Sequence, residues 1–466
     1  MDKQSTVSGR YDDSSKCRVA IIGTGLAGLT TAYLLQGDER KRYGVTLFEQ
    51  AGHLSFDSAS VTISNDKTDD AERIDLPMRA SAGGYYHHLM RMYQHLRIPL
   101  HPIRFLFVFA KASATADGTI PQKGDARESY FIHASNLHQT PPPWPGNRGV
   151  IPHIIEILYL IVCQFWFTLA CFLIAPLDTT ASSKHSESLA EYLERIRLPR
   201  RYATHYLLPL LSGVATCTHD ELLQFPCERY RQLQEAVAWA AALRSVPQAD
   251  GTVLVRWQSA VDASGRVLEQ VFDRVVLSVS PDVAGRIFKP LRATLEKLPT
   301  RHVESSVLKP EQSGISVISS DGARRSLACM HHSAGTSSAQ TMTLRTLFPD
   351  MGSARTEALH TMPSGVVVST CPLHEAAQPG AIKKAKFIRT LRSTESKALV
   401  QGLLGDSVDG KKSEADMARA WVNGQDNIWI AGAWCWDGMV LLEGCIVSAM
   451  RVATDFGIGI PWEKGQ

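Results

Sequence analysis

Arg18-Val-Ala-Ile-Ile22 runs directly into Gly23-Thr-Gly25-Leu-Ala-Gly28 and then into Leu29-Thr-Thr-Ala-Tyr-Leu-Leu35. An apolar β-type run, a glycine turn and an apolar helical run leave few folds open. Gly23 permits the tight turn, Gly25 lets backbone approach a pyrophosphate, and Gly28 lets helix and strand pack closely. The free N–H groups and positive dipole end of such a helix suit phosphate oxygens. A second strand-like run, Val45 to Phe48, ends in Glu49, 21 residues beyond Gly28. An acidic residue at that distance suits the ribose hydroxyls of a dinucleotide; the alternative for Glu49 is a solvated strand end. No second GxGxxG occurs, which argues against FAD and NADPH on two separate Rossmann units.

A related pattern closes the chain. Asn427-Ile-Trp-Ile-Ala431 reads as a strand and Gly432 to Gly438 as a turn. After Met439 to Gly444, Cys445 to Ala453 has helical length and small residues. A helix starting there could stabilise negative charge on a bound ring or phosphate.

With both ends in view, the chain resembles the FAD-dependent amine oxidase and phytoene desaturase-like superfamily. It is most similar to the NAD/FAD-binding amine-oxidoreductase-like proteins of fungal or bacterial type. The resemblance rests on Val19 to Glu49, Asp75-Leu-Pro-Met-Arg79 through Tyr93, Phe272 to Asp282, and Ile428 to Ala453. It implies FAD as cofactor, with the ADP half at Gly23, Gly25, Gly28 and Glu49. It also implies contacts to the rest of FAD at Gly432, Asp437 and Glu443, with Arg79 near the flavin. Alternatives stay open for three of these. Arg79 could pair with Asp75 four residues earlier, Asp437 could be a turn residue before Gly438, and Glu443 could be a helix-start carboxylate. One segment departs from the family. After a Phe-Pro like Phe225-Pro226, relatives run to a His-Tyr and a Gly-Gly, whereas Cys227 to Val246 here is helix-like. That departure implies a shortened part of the cofactor cradle.

The expected fold class is α/β: a Rossmann-like FAD-binding domain built from discontinuous segments, with an inserted α+β substrate domain. Residues 1–16 form a polar lead-in expected to be disordered. Segments 17–110, 245–310 and 425–466 are assigned to the FAD domain, and 111–244 and 311–424 to the substrate domain. Ser188 to Arg197 has helical spacing, and Thr252–Trp257 and Val271–Ser278 read as strands. Residues 111–150, with Pro141-Pro-Pro-Trp-Pro145, read as a linker, a lid or a surface loop. His219 beside Asp220 is a candidate base, or a cap or surface residue. His331-His332 lacks metal-ligand spacing, so no metal is expected.

Composition removes whole classes of function. Lys+Arg 49 against Asp+Glu 46 leaves +3, which gives no electrostatic reason to expect nucleic acid. Nine cysteines without a C-x-x-C pair, and no signal-peptide apolar region, point to a reducing, cytoplasmic setting.

Ile157 to Leu177 carries no charge over 21 residues. That exceeds the about 20 residues a bilayer span needs. A single span would separate the two terminal motifs, which must share one side to hold one FAD. The segment, within an apolar helix at 151–177, is therefore a buried helix of the substrate domain, a membrane-surface insertion or, against that topology, a span. Buried or inserted, it suits a lipophilic small-molecule substrate. The expected function is transfer of a hydride from such a molecule, in the secondary-metabolite range, to flavin. A flavin carries the redox chemistry itself, so no nucleophile triad is needed, and no catalytic residue is assigned. The alternatives are an NAD(P)-binding oxidoreductase using the first motif alone, an inactive flavoprotein-fold binding protein, and a membrane-anchored scaffold.

Overall fold

Four parallel strands carry the glycine turn. They are β1 (Cys17–Ile22), β2 (Tyr43–Phe48), β9 (Arg274–Leu277) and β15 (Ile428–Ile430), ordered β15-β9-β1-β2. The computed structural model describes residues 16–52, 54, 60–64, 71–76, 84–100, 103, 105–113, 129–134, 149–177, 186–227, 252–258, 267–309, 340–350, 352–373, 381–405 and 421–463.

A sheet covered on both faces needs apolar residues in unbroken runs, and Val19, Ala20 and Ile21 are fully buried. Their side chains alternate between faces. Val19 and Ile21 pack with Leu34 and Leu35 of the helix Leu26–Gln36 and with Ile446 of the helix Leu442–Asp455. Ala20 packs with Leu291, Val400 and Leu403 on the opposite face. Each fully buried Leu or Ile contributes about 1.5–3 kcal/mol relative to exposure.

A second, seven-stranded sheet has the order β14-β10-β13-β12-β11-β5-β6. Its members are β5 (Phe105–Ala112), β6 (Ser129–Ala134), β10 (Thr300–Leu308), β11 (Gln340–Leu347), β12 (Arg355–Thr361), β13 (Val367–Thr370) and β14 (Ala381–Thr390). Neighbours are antiparallel except β11 and β5. The helix Leu208–Ala215 lies on this sheet, where a Cβ at Gly213 would meet Leu344 at 3.1 Å. Two hairpins complete the strands: β3 (Ser60–Ser64) with β4 (Ala71–Asp75), and β7 (Val253–Gln258) with β8 (Val267–Phe272).

These pairings move three of the expected boundaries. Residues 105–110 were assigned to the FAD domain, but β5 pairs with β11 and β6 in the second sheet. Residues 300–308 were assigned likewise, but β10 pairs with β13 and β14. In the other direction, the helix Thr394–Leu404 was placed in the substrate domain. It buries Val400, Leu403 and Leu404 in the core of the parallel sheet. Alternating patterns define a strand but not which sheet it joins.

The long apolar run is a helix, Val150–Leu173. Its most apolar window has a mean hydropathy of 2.0 and is 28% buried. Of the three placements open to it, the fully buried helix does not hold, since Ile151 is 72% exposed and Leu173 73%, and the helix stops at Leu173 rather than 177. Ser188 starts the helix Leu189–Arg195 as a capping box with Glu191. The helix-like stretch at 228–246 and most of the 111–150 loop lie outside the described residues.

Candidate functional site

The C-terminal edge of the parallel sheet collects the expected residues. Ile22 leads into Gly23, Phe48 into Glu49, Leu277 into Ser278 and Ile430 into Ala431-Gly432. In open α/β sheets this edge is where ligands bind. The turn after β1 is held on both sides. Gly23 N–H donates to the Phe48 carbonyl at 2.9 Å, and Ser278 N–H donates to the Ile22 carbonyl at 2.8 Å.

Only glycine fits at two of these positions. Gly23 has φ +100°, and a Cβ there would lie 2.3 Å from the Ser278 carbonyl oxygen. A Cβ at Gly28 would lie 2.1 Å from the Gly23 carbonyl oxygen. Gly25 is the N-cap of the helix Leu26–Gln36 with φ −64°. No side chain caps that helix and no acid stands in its first turn. Its first N–H groups therefore lack the side-chain acceptors that usually satisfy them. A tight turn, close backbone and an uncapped helix start fit a dinucleotide pyrophosphate.

Glu49 is pinned to the turn. One carboxylate oxygen accepts from Thr24 N–H at 3.1 Å and from the Thr24 hydroxyl at 2.5 Å, and the other accepts from Ala51 N–H at 3.1 Å. Burial pushes its pKa up, but the donors from Thr24 and Ala51 outweigh it and hold the pKa below the usual value. Thr24 thus belongs to the site; its place inside the glycine motif was the signal available in the sequence.

The distal motif is built differently. Ala431 N–H donates to the Leu277 carbonyl at 3.0 Å, and Gly432 N–H donates to the Ser448 hydroxyl at 2.9 Å. The Trp436 ring packs on two glycines, where a Cβ at Gly438 or Gly444 would approach to 2.2 or 2.3 Å. Its indole N–H donates to the Met439 carbonyl at 2.8 Å. Asp437 is half-buried in this turn. No side chain caps the helix Leu442–Asp455 at its N-cap, Leu441.

Glu443, buried in the first turn of that helix, accepts from His88 N–H at 2.7 Å and Leu89 N–H at 3.0 Å. It thereby satisfies the start of the helix His87–His95. Burial raises its pKa, and the two backbone donors only partly offset that. Its carboxylate joins two helices at the site's edge. Arg79 lies outside the described residues.

A small recess of about 10 Å³, room for roughly one water, adjoins Met439, Val440 and Leu441 and is lined by Ala215, Phe225 and Leu391. Arg389 and Arg392 also line it. Arg392 is buried and donates to the carbonyls of Trp434 at 3.0 Å and Trp436 at 2.9 Å. Arg389 is surrounded by protein, yet its surface is reachable from the recess. It makes no ion pair among the described residues. Burial lowers its pKa, and Tyr86, Cys371 and Cys445 act in the other direction. Sequence reasoning missed both arginines, whose roles depend on strand register.

His219 is not at this edge. It is buried, its Nε2 lies 3.0 Å from the Thr356 hydroxyl, and burial lowers its pKa to about 4. The candidate base is a neutral residue packed against the second sheet.

Residues 21–96 match the family described as an NAD(P)-binding Rossmann-like domain. The chain therefore carries such a domain at its N-terminal end. Comparison with curated protein sequences finds no match. Among solved structures, a CLA-producing fatty acid isomerase from P. acnes superposes with TM-score 0.51 at 11% identity, over 95% of this chain and 99% of that one. The two share a fold. A triple mutant of putrescine oxidase, redesigned in cofactor binding, aligns with TM-score 0.42 at 11% identity, covering 95% and 98%. Reduced UDP-galactopyranose mutase aligns with TM-score 0.41 at 10% identity, covering 95% and 94%.

Proposed function

We propose that the protein is an FAD-dependent oxidoreductase that takes a hydride from a lipophilic small molecule. The observation that carries this reading is the meeting of two uncapped helix starts with the C-terminal edge of one parallel sheet. The helices Leu26–Gln36 and Leu442–Asp455 pack on the same sheet face. One alone suits a nucleotide pyrophosphate; the second suits the other end of a cofactor long enough to reach both.

In this reading the turn Gly23–Gly28 and its helix start hold the pyrophosphate. Glu49, fixed by Thr24, holds the ribose hydroxyls. Bound FAD would supply the two-electron chemistry. The N-terminal dipole of Leu442–Asp455 favours negative charge at its end. Ala215, Phe225, Leu391, Met439 and Leu441 set apolar side chains around the small recess beside it. Arg389, reachable from the same recess, would orient a substrate through an acidic group. An apolar molecule bearing a carboxylate would bring only its acidic group to this recess, where Arg389 stands among apolar side chains.

The family description of residues 21–96 supports one second reading, an oxidoreductase that binds NAD(P) at the first motif alone. A visible absorption spectrum of the purified protein separates the two, with chromatography of the cofactor released on denaturation. A flavin spectrum and released FAD are expected. A colourless protein that takes up no added FAD, but quenches NAD(P)H fluorescence on binding, would replace the first reading with the second.

A further inference from the structure

The helix Val150–Leu173 has its polarity turned inside out. A surface helix of a soluble protein buries its apolar stripe and exposes its charges. Here Ile151, Ile155, Leu158, Val162 and Phe165 follow each other at spacings of four and three residues, and all are exposed. They form one continuous stripe that ends at the exposed Leu173. The polar groups lie off this stripe, with Glu156 buried and Gln164 at the exposed flank. Buried Glu156 accepts from the Tyr206 hydroxyl and from Arg201 at 2.6 Å, and Gln164 accepts from the Tyr202 hydroxyl at 2.5 Å. Cys163, Phe167, Ala170 and Cys171 pack into the core on the same side as Glu156.

Two features of this arrangement identify what covers the stripe. First, the helix cannot be a free span. Glu156, Arg201 and Tyr206 bind it sideways to the rest of the protein, and Trp166 donates to the Ile196 carbonyl at 2.9 Å. A span would carry that irregular, charged segment into hydrocarbon. Second, residues 195–201 beside the helix carry four arginines and no acid, although the exposed Glu191 and Glu194 precede them. Arg197 and Arg200 are exposed and have no ion-pair partner among the described residues, and Arg201, 54% exposed, lies 5.5 Å from the Tyr159 ring. Exposed apolar side chains flanked by unpaired arginines complement the acyl boundary and anionic headgroups of a lipid leaflet. A two-fold contact with a second copy would instead bring two such basic edges into one interface.

We infer that the protein docks on an anionic membrane surface, with the helix Val150–Leu173 lying in the plane of one leaflet and its Ile151–Phe165 stripe inserted. At 1.5 Å per residue the 24-residue helix offers a contact about 36 Å long. The inference is independent of the cofactor, because lipid binding is read without flavin or turnover.

The test is flotation of the full chain with vesicles of phosphatidylcholine, with and without phosphatidylserine. The wild type is expected to float with both, more strongly with phosphatidylserine, and that preference should fade with salt. The triple variant Ile155→Asp, Leu158→Asp, Phe165→Asp should lose vesicle binding by about tenfold or more. Its circular dichroism and melting temperature should stay near wild type, because the three positions face outward. A second variant, Arg197→Ala with Arg200→Ala, keeps the stripe and should lose only the phosphatidylserine preference. Absence of flotation by a folded wild type would overturn the inference. So would a dimer in analytical ultracentrifugation that the aspartate variant dissolves.

Discussion

Arg301 and Arg389 stand directly opposite each other on the adjacent antiparallel strands β10 and β14, and their charges are handled differently. Arg301 donates to Glu221 at 2.8 Å. Arg389 has no carboxylate partner among the described residues and is reachable from the recess beside Met439–Leu441. Like charges opposite one another in a sheet are destabilising. With Arg301 paired to Glu221, Arg389 is the member that the proposed function would pair with an acidic group of the substrate.

Replacing Arg389 with Met should therefore separate stability from binding. The melting temperature should hold or rise by about 1–2 °C, since a poorly solvated cation opposite another cation is removed. Binding of an apolar carboxylate of the proposed class should weaken by roughly tenfold to a hundredfold, the worth of a charged hydrogen bond. Binding of the corresponding methyl ester should not change. A fall of several degrees in melting temperature would instead make Arg389 a structural residue. Calorimetry and ligand titration on the same preparation give both readouts.

The glycine turn makes a sharper demand. Gly28→Ala places a methyl 2.1 Å from the Gly23 carbonyl oxygen, an atom fixed by the turn. Helix and strand must separate there, so FAD retention should fall at least tenfold, with a loss of about 1–3 kcal/mol in stability. Gly352→Ala is the contrast. It has φ +95° and no atom within 4 Å of the added Cβ, so only backbone strain of about 1 kcal/mol is expected and cofactor content is untouched. Flavin absorbance per mole of protein, with denaturant melts, checks both.

Glu49 and Glu443 should respond to acid with opposite signs. Glu49 has a lowered folded pKa. Its stabilisation is present above the unfolded value near 4.5 and is lost as pH falls through the folded value. Glu443 has a raised folded pKa, with burial as the larger cause. Its contribution is most favourable below about 4.5 and is lost as pH rises through the folded value. Glu49→Gln should thus remove a stabilising component above pH 4.5 and weaken cofactor binding. Glu443→Gln should flatten the decline of stability above pH 4.5. If the two variants shift the pH–stability curve in the same direction, the opposed environments are wrong.

These residues also mark how far the sequence could be read. Gly23, Gly25, Gly28 and Glu49 were legible because local sterics set the turn, and the strand that delivers Glu49 follows within one βαβ unit. The role of Glu443 was not, because its partners His88 and Leu89 lie some 355 residues away in sequence. Arg389 was hidden by register: β14 alternates half-buried and exposed positions, and nothing local tells which lysine or arginine turns inward. The apolar run at 157–177 showed its length but not its orientation. Glu156 sits one residue before it, and its inward contact with Arg201 and Tyr206 settles which face looks out. The β5 and β10 assignments failed for a related reason, since strand pairing over long separations leaves no local trace.

Two buried histidines should make the second sheet and its neighbouring helix sensitive to acid. His219 lies against Thr356 and His360 against Gln340 at 2.6 Å, and burial lowers the pKa of each to about 4. A base with a depressed folded pKa is favoured neutral in the native state. Its stabilisation is complete above the unfolded value near 6.5 and is lost as pH falls from 6.5 towards 4. Within that window each histidine adds a slope of up to about 1.4 kcal/mol per pH unit. The native chain should therefore lose stability between pH 6.5 and 4 more steeply than its carboxylates alone would cause. His219→Gln keeps a partner for the Thr356 hydroxyl without titrating, so it should flatten this slope by about half of the two-histidine contribution. Flavin content should not change, because His219 stands away from the nucleotide edge. Melts at half-unit pH steps decide the matter: an unchanged slope in His219→Gln would mean the imidazole already titrates freely, and a simultaneous loss of flavin would place it in the cofactor site.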